Sequence, residues 1–314
     1  MVGPRSDFMI VSIVDIGTNT VLLLVASVTP DGRIDPLLYE QRIPRLGKGV
    51  DQQRTLHPDS MARVIDVLNE YQELAAQHHP DVTVVCGTSA VRDASNNSEF
   101  AALVQEKTGL TLDILSGSEE ALWTFRGAIS GMPDLSRATV IDIGGGSTEI
   151  IVGSRGNIQE QISLNIGSVR LTERFFAHDP PLPGELDNAR RAVLGDLMPA
   201  AGFSFQGSSL VGVAGTATSL AMLVQGRHDF NIRAVTNYRM TRHAVEHLYR
   251  TLRQMPSSMI LELSPVMEGR ADVIVAGALI LLEVMEHYGF EELLVSERGV
   301  RFGLALREAE KVRR

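Results

Sequence analysis

The sequence predicts an α/β protein made of one duplicated unit, and two observations carry that prediction. Strand-sized Val and Ile runs alternate with helically spaced segments along the chain. The stretch Ile13-Val-Asp-Ile-Gly-Thr-Asn-Thr-Val-Leu-Leu-Leu-Val25 then returns, a little under half the chain later, as Val140-Ile-Asp-Ile-Gly-Gly-Gly-Ser-Thr-Glu-Ile-Ile-Val152. Each copy sets an acid, glycine and hydroxyls between two apolar runs, and a similar order of elements follows each.

Taken in order, 10–28 reads as two strands around the Gly-Thr-Asn-Thr turn, and Pro30-Asp-Gly-Arg33 turns into a third strand near 34–43. Asp59–Gln77 has helical spacing through Met61, Val64, Ile65, Leu68 and Leu74. Val82–Cys86 reads as a buried strand, Ser98–Lys107 as a helix stopped by Gly109, and Leu110–Leu115 as a strand before a helix from Ser116. In the second copy the strands fall at Ala138–Ile143, Glu149–Ser154, 158–166, Ser209–Val213 and 292–296. Helices fall at Gly184–Leu197, Gly215–Val224, 241–254, 270–287 and 299–312, and Ala177–Gly184 is an exposed Pro-rich connection. The expected domains are 1–132 with 299–314 returning to it, and 133–298, joined near Met132-Pro-Asp134.

The 314 residues suffice for two cores, and 44% apolar with 21% charged residues describes a folded chain without a membrane-length apolar run. The polar start Met1–Phe8 does not read as a secretion signal, and the lone Cys86 cannot close an internal disulfide, so a cytoplasmic location is expected. A net charge of −9 argues against broad nucleic-acid or anionic-membrane binding. An anion would need a local cluster of cations and backbone donors.

The glycine turns supply such donors. A tight turn often needs one Gly for positive φ, but three in a row also bare the backbone N–H groups to an anion. Gly144, Gly145 and Gly146, with Ser147 and Thr148, are candidate phosphate donors, as are Gly17, Thr18 and Asn19 in the first copy. Asp142 ends its strand where it would repel that anion unless a cation intervenes, which suggests phosphate with Mg²⁺. A strained structural hairpin competes for either loop alone. Glu149 has Leu22 as its counterpart, an asymmetry that marks it as a metal or water ligand, with a solvated strand residue as the alternative.

In Leu115-Ser-Gly-Ser-Glu-Glu-Ala-Leu122, Ser116 and Glu119 have capping-box spacing. Glu120 is left without a structural task; the helix dipole is expected to lower its pKa, and an ordinary solvated glutamate is the alternative. Arg92 in Gly87-Thr-Ser-Ala-Val-Arg lies after a strand, where it could fork onto phosphate or stay on the surface. Arg45, Lys48, Arg170 and Arg270 invite similar readings, and Gly212-Val-Ala-Gly-Thr-Ala-Thr218 fits a further phosphate or nucleoside contact. His243-Ala-Val-Glu-His247 matches a zinc-peptidase pattern but lacks a strong third ligand, and Trp123 and Phe125 are expected in the core. The chain contains neither a P-loop nor a nucleophile elbow.

Together, Asp15-Ile-Gly-Thr-Asn-Thr and Asp142-Ile-Gly-Gly-Gly-Ser-Thr-Glu149 resemble the actin/Hsp70/sugar-kinase superfold. With Gly87–Asn96, Leu115-Ser-Gly-Ser-Glu-Glu-Ala121, Gly167-Ser-Val-Arg-Leu171 and Ser296-Glu-Arg-Gly-Val-Arg-Phe-Gly303, the chain is similar to the exopolyphosphatase and guanosine pentaphosphate phosphohydrolase (Ppx/GppA) family. The resemblance implies a duplicated ribonuclease H-like (actin-like ATPase) fold of two domains with an interdomain cleft, a homodimer, and Mg²⁺-assisted hydrolysis of polyphosphate or guanosine pentaphosphate. By family match Glu120 is the base that activates water and Asp142 a catalytic acid. Asp15, Asp142 and Glu149 then belong to the metal, and Arg92 to the substrate. The first turn has Thr where the family usually has Ser. The chain's end at 314 lacks the helical domains of longer members, which leads one to expect short polyphosphate or a nucleotide. A kinase of the same superfold and a silent sensor of polyphosphate or guanosine tetraphosphate are the rival functions.

Overall fold

The computed structural model describes residues 8–132, 135–155, 157–229 and 232–312, without the side chains of 232 and 233. Seven residues of the polar start, Pro133 and Asp134 of the expected junction, and Gly156 of the 154–157 turn lie outside the described residues. The chain forms two compact units, Met1–Ser130 with Val300–Arg314, and Gly131–Gly299.

The first unit begins with β1 (Met9–Ile16), β2 (Val21–Val28) and β3 (Ile34–Arg42), then α1 (Val50–Gln53) and α2 (Pro58–Ala76). β4 (Val82–Gly87), α3 (Ser89–Asp93), α4 (Asn97–Thr108), β5 (Leu112–Ile114) and α5 (Gly117–Ser130) follow. The sheet runs β3-β2-β1-β4-β5, antiparallel among the first three strands and parallel from β1 through β5. Strand alternation decides which side chains go to which face. Val14, Ile16, Leu23 and Val25 join α2 and α4 in one core, while Val11, Ile13, Leu24 and Ala26 join Cys86 and Leu115 in another. Asp15 has the parity of Ile13, and so projects on the second face.

The second unit holds β6 (Ala138–Ile143), β7 (Thr148–Ser154), β8 (Asn157–Leu164), α6 (Ser168–Phe175), α7 (Pro183–Leu197), β9 (Ser209–Val213) and α8 (Ala214–Val224). It continues with α9 (Ile232–Val235), β10 (Arg239–Thr241), α10 (Arg242–Leu252), α11 (Ser257–Leu263), α12 (Ile274–Tyr288) and β11 (Glu292–Val295). Its sheet runs β10-β11-β9-β6-β7-β8. Apart from the edge strand β10, the order β8-β7-β6-β9-β11 repeats that of the first unit, with the same pairing directions. Both units therefore have the ribonuclease H-like arrangement, and the duplication seen in the sequence is a duplication of topology. α12 is apolar nearly all round and centres the second core, as a helix covered on every side must be.

The last helix, α13 (Val300–Val312), belongs to the first unit and packs on α5 and β1. Gly303 makes that approach possible: a Cβ there would lie 1.9 Å from the Trp123 carbonyl oxygen. Phe125 is fully buried, whereas Trp123 is only half-buried, with Arg126 and Arg307 against its ring. Short elements such as α3, α6, β10 and α11 span too few residues to be read from sequence. Among the described residues no helix is long and apolar enough to cross a membrane.

Candidate active site

In the first unit the capping box forms as its spacing predicts. The Ser116 amide donates to Glu119 Oε2 (3.0 Å) and the Glu119 amide to Ser116 Oγ (3.2 Å). Glu119 is thus occupied at the helix end; its pKa is lowered first by the Ser116 hydroxyl, which donates to Oε2 (2.7 Å), and then by the Ser116 amide. Glu120, one residue on, turns inward and is 7% exposed, which overturns the reading of a solvated residue. Arg92 Nη1 donates to Glu120 Oε2 (2.6 Å) and to the Leu115 carbonyl (3.1 Å). Loss of water raises the Glu120 pKa, while Arg92 opposes the rise and Asp93 adds to it. The expected lowering by the helix dipole is therefore corrected, because desolvation outweighs it.

Asp15 lies beside this group in the same unit. Burial pushes its carboxyl up to about 7; Arg301 pulls it down, Glu120 pushes it further up, and a hydrogen bond from Cys86 pulls it down. Cys86 Sγ donates to Asp15 Oδ1 at 3.9 Å. Burial, and next to it Asp15, holds the Cys86 thiol well above its usual pKa, so the sulfur keeps its proton.

The two glycine turns are built alike. The Gly17 amide donates to the Thr20 carbonyl (2.9 Å) and the Gly144 amide to the Ser147 carbonyl (3.0 Å). Each turn thus spends the amide of its first glycine on its own closure, contrary to the expectation that Gly17 and Gly144 offer theirs to an anion. Among the described residues the amides of Gly145, Gly146 and Ser147 have no protein acceptor, and none of these loop glycines takes the left-handed φ first expected of one. Their glycines serve close approach instead. A Cβ on Gly167 would lie 2.5 Å from the Gly145 carbonyl, and the amides of Ser168, Val169 and Arg170 donate to the carbonyls of Gly144 and Gly145 (2.9–3.0 Å). The first turn is gripped similarly, by Arg45 donating to Asn19 (3.1 Å) and Gly47 to Thr18 (2.7 Å) through their amides. In both units the chain leaving the third strand holds the turn's carbonyls, which turns the remaining amides the other way.

Hydroxyls divide between fold and function. Thr148 Oγ1 donates to the Ile166 carbonyl (2.8 Å), so this candidate phosphate donor braces the loop instead. Thr18 Oγ1 lies 2.9 Å from Ser89 Oγ. Ser147 is buried in the second turn without a side-chain partner among the described residues. In the Gly212–Thr218 segment Thr216 donates to the Ile143 carbonyl (3.1 Å), and Arg270 Nη1 to Gly215 (3.0 Å) and Ser219 (2.8 Å), so structural bonds fix it under the second turn. Arg170, at 6% exposed, is no surface residue. His243 and His247 are exposed and Glu246 pairs with Arg250 along the helix, a solvated face as expected.

Asp142 and Glu149 are register partners across β6 and β7, so both carboxylates project from one face; Asp15 instead faces Leu22. Glu149 is 1% exposed and accepts from Ser163 Oγ (2.7 Å), which refutes a solvated strand residue. Among the described residues no three His, Cys, Asp or Glu side chains gather as a metal cage. An oxygen-only pair nevertheless suits Mg²⁺, which commonly takes one or two carboxylates and fills its shell with water and substrate phosphates.

Comparison with known proteins adds an independent line. Residues 24–312 match the sequence model of the Ppx/GppA phosphatase family. The chain is 35% identical to exopolyphosphatase 2 of Mycobacterium tuberculosis over 311 residues, 94% of this chain and 97% of that protein. It is 28% identical to guanosine-5′-triphosphate,3′-diphosphate pyrophosphatase of Vibrio cholerae, covering 96% of this chain and 59% of that one. The crystal structure of the Aquifex aeolicus Ppx/GppA family member superposes with a TM-score of 0.82 at 30% identity, over 98% of this chain and 99% of the other.

Proposed function

The chain belongs to the Ppx/GppA phosphatase family, and from that premise we propose that it is a phosphoanhydride hydrolase releasing terminal orthophosphate from inorganic polyphosphate. The observation that carries the chemistry is the division of labour between Glu119 and Glu120. Glu119 caps the helix, while Glu120 is buried, held at one oxygen by Arg92, and shifted toward stronger basicity. Glu120 takes a proton from water as the water oxygen attacks the terminal phosphorus. The anhydride P–O bond breaks and the shortened chain departs with that oxygen. The amides of Gly145, Gly146 and Ser147 and the Ser147 hydroxyl bind phosphoryl oxygens, a task of positioning and electrostatics. Asp142 and Glu149 would hold Mg²⁺, whose charge would offset that developing on the phosphoryl group.

A guanosine pentaphosphate 5′-phosphohydrolase is the second reading, supported by the likeness to the Vibrio cholerae pyrophosphatase. A cytoplasmic homodimer belongs to the same proposal: the reduced, buried Cys86 supports the compartment and the family resemblance supports the dimer. The test is phosphate release, with and without Mg²⁺, from short polyphosphate, long polyphosphate, guanosine pentaphosphate and ATP. Metal-dependent release from polyphosphate is expected. Release from guanosine pentaphosphate alone would replace polyphosphate as the substrate, and binding without any turnover would favour a sensor.

A further inference from the structure

Building on the hydrolase reading, we infer that Arg92 is the positioning residue of Glu120 and not a clamp on the substrate's phosphate. An arginine that grips phosphate presents an edge of its fork to the anion. Here Nη1 is committed twice within the protein, to the Leu115 carbonyl at 3.1 Å and to Glu120 Oε2 at 2.6 Å. Both anchors are themselves fixed. The Leu115 amide donates to the Gly87 carbonyl (3.0 Å), and the Glu120 amide to the Ser116 carbonyl (2.9 Å) in the first turn of α5. Arg92 is set by its own amide, which donates to the Thr88 carbonyl (2.9 Å) beside the end of β4. The guanidinium therefore bridges the end of β5 to the start of α5 and locks the carboxylate's rotation.

The consequence is a division between the two carboxylate oxygens. Oε2 is held by Arg92, and Oε1 is the oxygen that receives the proton from water. The pair is also shielded, with the two side chains 23% and 9% exposed, so the contact is worth more than a surface ion pair. The charged neighbours that bear on Glu120 are Arg92 and Asp93, and Glu120 in turn bears on Asp15. Losing Arg92 frees the carboxylate to turn away, and misplacement of a reacting group by about 1 Å can cost about 10²-fold in rate.

Steady-state kinetics on inorganic tripolyphosphate test this with Arg92→Gln, Arg92→Lys, Glu120→Gln and the double variants. Arg92→Gln should lower kcat by about 10²-fold while KM stays within about 3-fold, since positioning acts in the transition state alone. Arg92→Lys, which can still donate to Oε2, should recover part of that loss. Once Glu120→Gln has removed the base, Arg92→Gln should cost less than about 3-fold more, because residues acting as one unit are not additive. A KM raised tenfold with kcat held, or losses that multiply in the double variant, would overturn the assignment. Should Arg92→Gln fail to fold, calorimetry of tripolyphosphate binding to Glu120→Gln with and without Arg92→Lys decides the matter. Equal affinity is expected, and tenfold weaker binding would show a clamp. Wild-type protein without phosphate release on any substrate would instead overturn the hydrolase reading, a result separate from a moved KM.

Discussion

Asp142 on β6 stands directly opposite Glu149 on β7, whereas the equivalent position opposite Asp15 is held by Leu22. A duplicated unit has thus placed a carboxylate pair in one copy and a single carboxylate in the other. Two like charges facing each other across adjacent strands are unfavourable unless a cation compensates them. Glu149→Gln keeps the Ser163 contact and the shape but halves that charge. It should cost about 10²-fold in Mg²⁺-dependent phosphate release and raise the Mg²⁺ concentration needed for half-maximal rate. A variant with wild-type metal dependence would remove Glu149 from the metal.

Gly167 tests the second turn from behind. A methyl group there would meet the Gly145 carbonyl at 2.5 Å and the Gly146 nitrogen at 2.7 Å, both backbone atoms. Gly167→Ala should therefore push the turn out of place, lowering kcat/KM by about 10²-fold. Stability should fall by only about 1–3 kcal/mol, the usual penalty of local overpacking. Unchanged kinetics would mean that the turn does not hold the reacting phosphate.

Asp15 links the site to stability. Its folded pKa of about 7 lies above the ordinary 3.8, so between those values the folded state keeps a proton the unfolded chain has released. Stability must then fall as pH rises through that window. Asp15→Asn carries no such proton. In EDTA its unfolding free energy should exceed that of wild type by a margin that grows from about pH 4 to about pH 7, reaching about 1 kcal/mol or more. A margin independent of pH would show that the Asp15 carboxyl is not perturbed.

What the sequence could show was decided by the range of the interactions. The hairpin turns and the Ser116–Glu119 box rest on neighbours a few residues apart, so their spacing is readable, and the repeated order of elements is visible along the chain. The inward turn of Glu120 depends on what covers α5, and its raised pKa follows from that burial, which no local pattern encodes. The place of Arg92 after β4 is visible in the sequence, while its bond to Glu120, 28 positions away, is not. Gly167 stood in a motif, but its contact with Gly145 arises only once β8 has folded back beside the second turn. Thr148 is ambiguous for a related reason: a hydroxyl in a Gly-rich loop can serve either a ligand or a carbonyl, and here it donates to that of Ile166.

The most direct measurement is phosphate release by Glu120→Gln beside wild type, across pH and with tripolyphosphate binding followed in parallel. The account predicts a loss of about 10²–10⁴-fold in turnover with binding retained, as for removal of a general base. It also predicts that the wild-type rate falls on the acid side at a pH above that of an ordinary glutamate, since the base must be ionised and burial raises its pKa. A Glu120→Gln enzyme that turns over at the wild-type rate would contradict the assignment of Glu120 as the base.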